Sequence, residues 1–178
     1  LPILTSYIKN PNMINHCLAS EAVMRAIASR MNQDQDIWGI AGLLHDIDAE
    51  LTEGNLEEYT LKGAEILKAN GVSDEVIEAV KAHNETAYKK ERTDPFHIAL
   101  AAGETITGLI TATTLVYPDK KIKSVKPKSI VKRMKEKAFA ASVNRETIRE
   151  CEKLNIPLNE FAIICLEAMS SIDEQLGL

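Results

Sequence analysis

The reading of this chain turns on the stretch Trp38-Gly39-Ile40-Ala41-Gly42-Leu43-Leu44-His45-Asp46-Ile47-Asp48. Up to Leu44 every residue is apolar or glycine, which is too apolar all round for a surface helix. A central helix over about 36–45 is therefore expected. A polar pair, His45-Asp46, closes it. Burying such a pair is costly unless it is paired or metal-bound. On spacing alone, a His set against the helix C-terminal dipole and an Asp turning the chain read the pair equally well.

Working outward, the pattern stays helical. Met13, Cys17, Ala19, Val23, Ile27 and Met31 recur at helical steps and predict a helix over 13–31. A third helix is expected over 57–69, stopped by Asn70-Gly71. Ser73 with Asp74 and Glu75 signals a fourth, running to about His83. Thr93-Asp94-Pro95 starts a long apolar helix that Pro118 ends. The β-rich run Thr111 to Val116 is kept helical, because no partner segment has period-two alternation. Further helices are expected from near Pro127, after Asn144, and from Pro157 to about Leu176. About eight helices without repeat or linker predict an all-α, single-domain helical bundle over 1–178.

The chain has 178 residues, with 45% hydrophobic and 26% charged residues, a globular composition that argues against disorder. No apolar run is read as a membrane span, so a soluble protein is expected. The opening Leu1-Pro2-Ile3-Leu4-Thr5 has neither a charged nor a long apolar region, so no signal peptide is expected. Without an initiator Met, the numbering is expected to start inside a longer chain or after trimming. Cys17, Cys151 and Cys165 are odd in number and far apart, which favours buried thiols in a reducing cytoplasm over disulfides.

The formal net charge is −5, unevenly spread. Residues 120–137 hold nine Lys or Arg and one Glu, so this segment carries +8 and the rest of the chain −13. The acidic body disfavours a nucleic-acid polymer as partner. The basic segment reads either as a solvated face or as a lid supplying cations to a phosphate. Ser129, Lys132 and Arg133 share one helical face, and Arg145 is a second candidate anion clamp.

Four stretches together carry a resemblance: His16; Leu43-Leu44-His45-Asp46-Ile47; His83-Asn84-Glu85; and Ala102-Gly103-Glu104-Thr105. Their order and spacing resemble the HD-domain metal-dependent phosphohydrolase superfamily, with small prokaryotic hydrolases the nearest likeness. The resemblance runs over about 12–116, leaving 117–178 as a helical extension. It implies an all-helical fold with a metal held between helices, and His16, His45 and Asp46 as its first ligands. The family's last ligand is normally an Asp on a later helix, and Glu104 stands there. Two-metal members carry a second His at Asn84 and another His at Tyr59. A single ion is therefore favoured, and His83 becomes a phosphate-binding or acid/base group.

Imidazole and carboxylate donors suit Mn, Fe, Co, Ni or Zn better than Ca. Such an ion lowers the pKa of its water and polarises a phosphoryl oxygen. Asp48 is a candidate to orient that water or to hold a ligand His, a solvated acidic loop being the other reading. For Glu50 the solvated reading is favoured. Cys17 adjoins His16 but points about 100° away on a helix, which disfavours a Cys-His nucleophile pair. The reading is a hydrolase acting on a small phosphorylated molecule, a nucleotide among the candidates. A non-catalytic domain of the same fold and a purely structural helical protein are the rivals.

Overall fold

A computed structural model describes residues 1–178. The elements are α1 (Pro2–Tyr7), α2 (Pro11–Arg30), α3 (Gln35–Leu44), α4 (Ala49–Thr52), α5 (Leu61–Ala69) and α6 (Asp74–His83), then α7 (Glu85–Tyr88), α8 (Pro95–Leu115), α9 (Pro127–Arg133), α10 (Arg145–Arg149), α11 (Leu158–Ser170) and α12 (Asp173–Leu176). Two short 3₁₀ turns, Ile122–Ser124 and Glu150–Leu154, complete the chain. There are no strands. Each of the eight helices expected from sequence is present, including the Thr-rich end of α8.

Local chemistry sets the helix starts. The Asn10 side chain accepts from Asn12 N–H ahead of α2, and Asp34 accepts from the N–H groups of Asp36 and Ile37 ahead of α3. Asp94 caps α8 at Phe96 N–H with Pro95 in the first turn, and Asn144 caps α10. These caps satisfy amides that have no partner within the helix.

Helix α8 runs through the middle, with α2, α3, α6 and α11 packed around it. By length and composition it is the one helix apolar enough to cross a membrane, an exception to the sequence reading. Of its most apolar window, 67% is buried inside this fold, as in a core helix. The Trp38 and Phe96 rings stack at 4.9 Å and join the starts of α3 and α8. Helices α2 and α3 approach so closely that a Cβ at Gly42 would overlap the Ser20 carbonyl. This glycine sets the spacing that brings His45 beside His16.

Two expected boundaries shift. Helix α5 begins at Leu61 rather than near Glu57, because Thr60 adopts φ 73° and breaks the ladder. The last expected helix divides into α11 and α12, where Ser171 Oγ donates to the Ala168 carbonyl in competition with the backbone. All three cysteines are free and buried.

Candidate metal centre

Three helices and one chain reversal converge. His16 lies on α2, His45 caps the C-terminus of α3 with Asp46 following, and Glu104 lies on α8. One ligand atom each from His16, His45 and Asp46 falls within 4.8 Å of the others. His16 Nε2 lies 3.1 Å from His45 Nε2, 3.5 Å from Asp46 Oδ2 and 3.7 Å from Glu104 Oε2. His45 Nε2 lies 3.4 Å from Asp46 Oδ1.

The partners of His45 and His16 fix where their protons lie. His45 Nδ1 is 2.8 Å from the Gly42 carbonyl, which only accepts, so Nδ1 carries the proton. Thr107 Oγ1 donates to the Glu104 carbonyl and therefore accepts from His16 Nδ1, 3.0 Å away. Both Nε2 atoms then present lone pairs to each other, an unfavourable pairing unless a cation lies between them. Two nitrogens each about 2.1 Å from a shared ion stand about 3.0–3.4 Å apart at ligand angles from square to tetrahedral. The observed 3.1 Å fits that range. The donor set suits a borderline divalent ion.

Electrostatics point the same way. Burial pushes the His45 pKa down to about 3, leaving a neutral imidazole, the form that ligates. Burial of Asp46 favours its neutral form, but the imidazoles of His45, His16 and His83 outweigh it and hold the carboxyl below the usual range. Burial raises the Glu104 pKa, so this carboxylate gains from a nearby cation.

His83, at the end of α6, donates from Nδ1 to the Val80 carbonyl at 2.6 Å. Its Nε2 is 2.7 Å from the Tyr59 hydroxyl and 3.6 Å from Asp46 Oδ1. Tyr59 donates in turn to Asp46 Oδ1. Burial opposes charge on His83, but the Asp46 carboxylate prevails and raises its pKa. The Tyr59 phenol, buried beside that carboxylate, is pushed well up. Asn84, which replaces an expected His, donates from its amide to the carbonyls of Leu56 and Tyr59. It fastens the turn that carries Tyr59.

Asp48 is corrected. It is fully buried, and one carboxylate oxygen accepts from Thr60 N–H at 2.8 Å and Gly63 N–H at 2.7 Å. It caps α5 from a distance, supplying what Thr60 does not, while its other oxygen is buried without a hydrogen-bond partner. Glu50 accepts from the N–H groups of Lys9 and Asn10, fixing the link between α1 and α2. Cys17 is buried with its thiol pKa raised by burial, which leaves no reactive thiolate beside His16.

Arg145 is engaged with the backbone. Its guanidinium donates to the carbonyls of Ala140, Val143, Glu136, Phe139 and Arg133, tying one turn of chain together rather than facing an anion. Lys132 and Arg133 do share a face with Ser129, lining a separate cleft with Thr113 and Tyr117. Arg133 pairs with Glu136 and lies over the Phe139 ring. Neither residue lines the cavity at His16. Sequence reasoning missed Thr107 as the partner of His16. Its only signal was its place one turn after Glu104.

The family model described as HD domain matches residues 13–112, and the chain belongs to this family of metal-dependent hydrolases. Among curated proteins it is similar to Ribonuclease Y of Thermosipho melanesiensis, 30% identical over 149 residues, covering 82% of this chain and 28% of that protein. Ribonuclease Y of Fervidobacterium nodosum is also 30% identical over 149 residues, with the same coverage of 82% and 28%. The tRNA (cytidine(56)-2'-O)-methyltransferase of Thermoplasma volcanium is 31% identical over 83 residues, 47% of this chain and 24% of that protein. The chain thus spans less than a third of the length of these relatives. No solved structure matches.

Proposed function

We propose that this domain hydrolyses a phosphate ester of a small molecule, with one divalent ion held by His16, His45, Asp46 and Glu104. The facing Nε2 lone pairs of His16 and His45, 3.1 Å apart, carry the reading. A bound Mn, Fe, Co, Ni or Zn ion supplies a Lewis acid for a phosphoryl oxygen and water of lowered pKa. The remaining work belongs to the chain. The Gly42 carbonyl and Thr107 fix the two imidazole tautomers, and Asp46 and Glu104 supply anionic charge. His83 holds a proton at Nε2 that the Tyr59 hydroxyl accepts, and it would serve a leaving oxygen that takes the place of that hydroxyl. Three free, buried cysteines support a reducing, cytoplasmic setting.

A second substrate reading comes from the relatives named Ribonuclease Y: an RNA phosphodiester. The cavity at His16 has no Lys or Arg on its walls, and the body outside 120–137 carries −13, which favours a small molecule. A third reading, a non-catalytic member, is favoured by the Tyr59 hydroxyl on Asp46 Oδ1, an oxygen thereby taken from other partners. Elemental analysis followed by a screen of phosphomonoesters, cyclic diesters and short RNA separates them. Stoichiometric metal with monoester turnover is expected. Turnover of RNA alone would favour the second reading, and bound metal without turnover the third. Protein that takes up no Mn, Co, Ni or Zn would end the proposal.

A further inference from the structure

Groups beside the candidate metal centre are left unspent by the fold. A cavity of about 540 Å³ opens between α2, α8 and α12, with His16 and Thr107 on its wall. It continues the same helix faces that bear the ligands. Asn12 lies one turn before His16 on α2, and Gly108 one turn after Glu104 on α8. Its size is that of small-molecule sites.

The lining is specific in what it lacks. His16 is its only side chain able to carry charge. Asn15 donates to the Leu176 carbonyl, which leaves Oδ1 without a partner in the chain. The hydroxyls of Thr105, Thr107, Thr113 and Thr114 on α8 all donate within the protein. Thr111, which faces the cavity, has no such bond. Leu115 and Leu176 add apolar surface.

Gly108 is the decisive residue. A glycine inside a long helix destabilises it by comparison with alanine, so its presence calls for a reason. Elsewhere in α8, Gly103 has one in packing: an added Cβ would press on Ile27 at 3.1 Å and Val23 at 3.2 Å. At Gly108 an added Cβ would meet only Val143, at an ordinary 3.4 Å. Packing does not require this glycine, and it stands on the cavity wall.

We propose that this cavity seats the organic part of the phosphate ester, that this part is uncharged and carries hydrogen-bonding groups on an apolar frame, and that Gly108 is the specificity-determining residue that leaves room for it. The proposal rests on the phosphoester reading above. An uncharged ring with amide-like edges suits Asn12, Asn15, Thr111 and the two leucines. A second carboxylate on the ester would be buried without a cation.

The test is calorimetric binding to Mn-loaded protein, with three probes. Inorganic phosphate has no organic part, adenosine 5′-monophosphate has an uncharged one, and 3-phosphoglycerate has a charged one. The wild type is expected to bind the nucleotide at least about tenfold more tightly than either other probe. Gly108→Leu should lose about tenfold or more of the nucleotide affinity, with phosphate affinity and Mn stoichiometry unchanged. Gly108→Ala should raise the melting temperature while weakening the nucleotide less, and it keeps the test alive if Gly108→Leu does not fold. Equal affinity for the nucleotide and 3-phosphoglycerate overturns the proposal. So does undiminished nucleotide binding in a folded Gly108 variant. Failure of Mn-loaded wild type to bind phosphate strikes instead at the phosphoester reading, and takes the subsite with it.

Discussion

Two regions of this chain concentrate charge, and they use it in opposite ways. Around His16, His45, Asp46, His83 and Glu104, the polar groups are mostly buried and face one another. Along 120–145 the cations meet solvent or are spent on neighbours. The Lys132 side chain is 76% exposed, Lys123 pairs with Asp173, and Arg145 donates to backbone carbonyls. The first region keeps its polar groups out of water, at a cost that only a ligand or mutual pairing offsets. The second carries a net charge of +9 at almost no cost. Density of charge along a sequence is thus a poor guide to a site, and burial of charge a better one.

The contrast is broken most severely at Asp46. Asp46→Ala should weaken Mn or Co binding by more than about a hundredfold, measured by titration calorimetry, and abolish the rise in melting temperature on metal loading. Retention of wild-type affinity removes Asp46 from the donor set. Arg145→Ala is expected to destabilise the fold by about 1–2 kcal/mol in urea melts, since partly buried carbonyls lose charged donors, while metal affinity stays unchanged. A loss of phosphate affinity without loss of stability would restore it as an anion clamp.

A smaller effect is expected where the two halves of the chain join. The buried Arg92 guanidinium pairs with Glu85 and Glu150 and donates to the Ala82 carbonyl. Its hydrogen bond holds the Glu85 pKa below the usual range. The unfolded chain therefore takes up this proton at higher pH than the folded one. The stabilisation is complete above the ordinary carboxylate pKa and is lost as pH falls through the depressed one. Glu85→Gln should lower the melting temperature at pH 7 and flatten the acid side of the profile below about pH 5, where the variant and the wild type converge. An unchanged acid limb would remove Glu85 from that balance. Least of all is expected at Lys132. Lys132→Ala should leave stability within about 0.5 kcal/mol of wild type, and nucleotide affinity unaltered at low and high salt. A salt-dependent loss of affinity would bring the basic cleft back into recognition.

The long helices were legible because their apolar periodicity, Pro starts and Asn or Asp caps are local signals. His45 and Asp46 were legible for a related reason: a polar pair ending an apolar helix is anomalous within a short window. The partners of Asp48 and Arg145 were not legible, because they are backbone groups that only the folded chain presents. Asp48 answers the amides of Thr60 and Gly63, and Arg145 the carbonyls of one loop. No side-chain pattern announces such partners. Tyr59 was noticed only as a missing histidine. Its place in the cluster depends on the left-handed Thr60 and on Asn84, two contributions that no periodicity encodes.

The remote cap on α5 gives the centre an internal gauge. Asp48 stands two residues after Asp46 on the same rigid turn, and its carboxylate holds the amides of Thr60 and Gly63. An ion that steadies Asp46 is expected to steady those two hydrogen bonds, because one peptide unit joins each of Asp46 and Asp48 to Ile47 between them. The amide protons of Thr60 and Gly63 are therefore expected to exchange with solvent more slowly when a divalent ion is added, measured by hydrogen exchange. Occupancy can then be read from the backbone of a helix that contributes no ligand, without following any reaction.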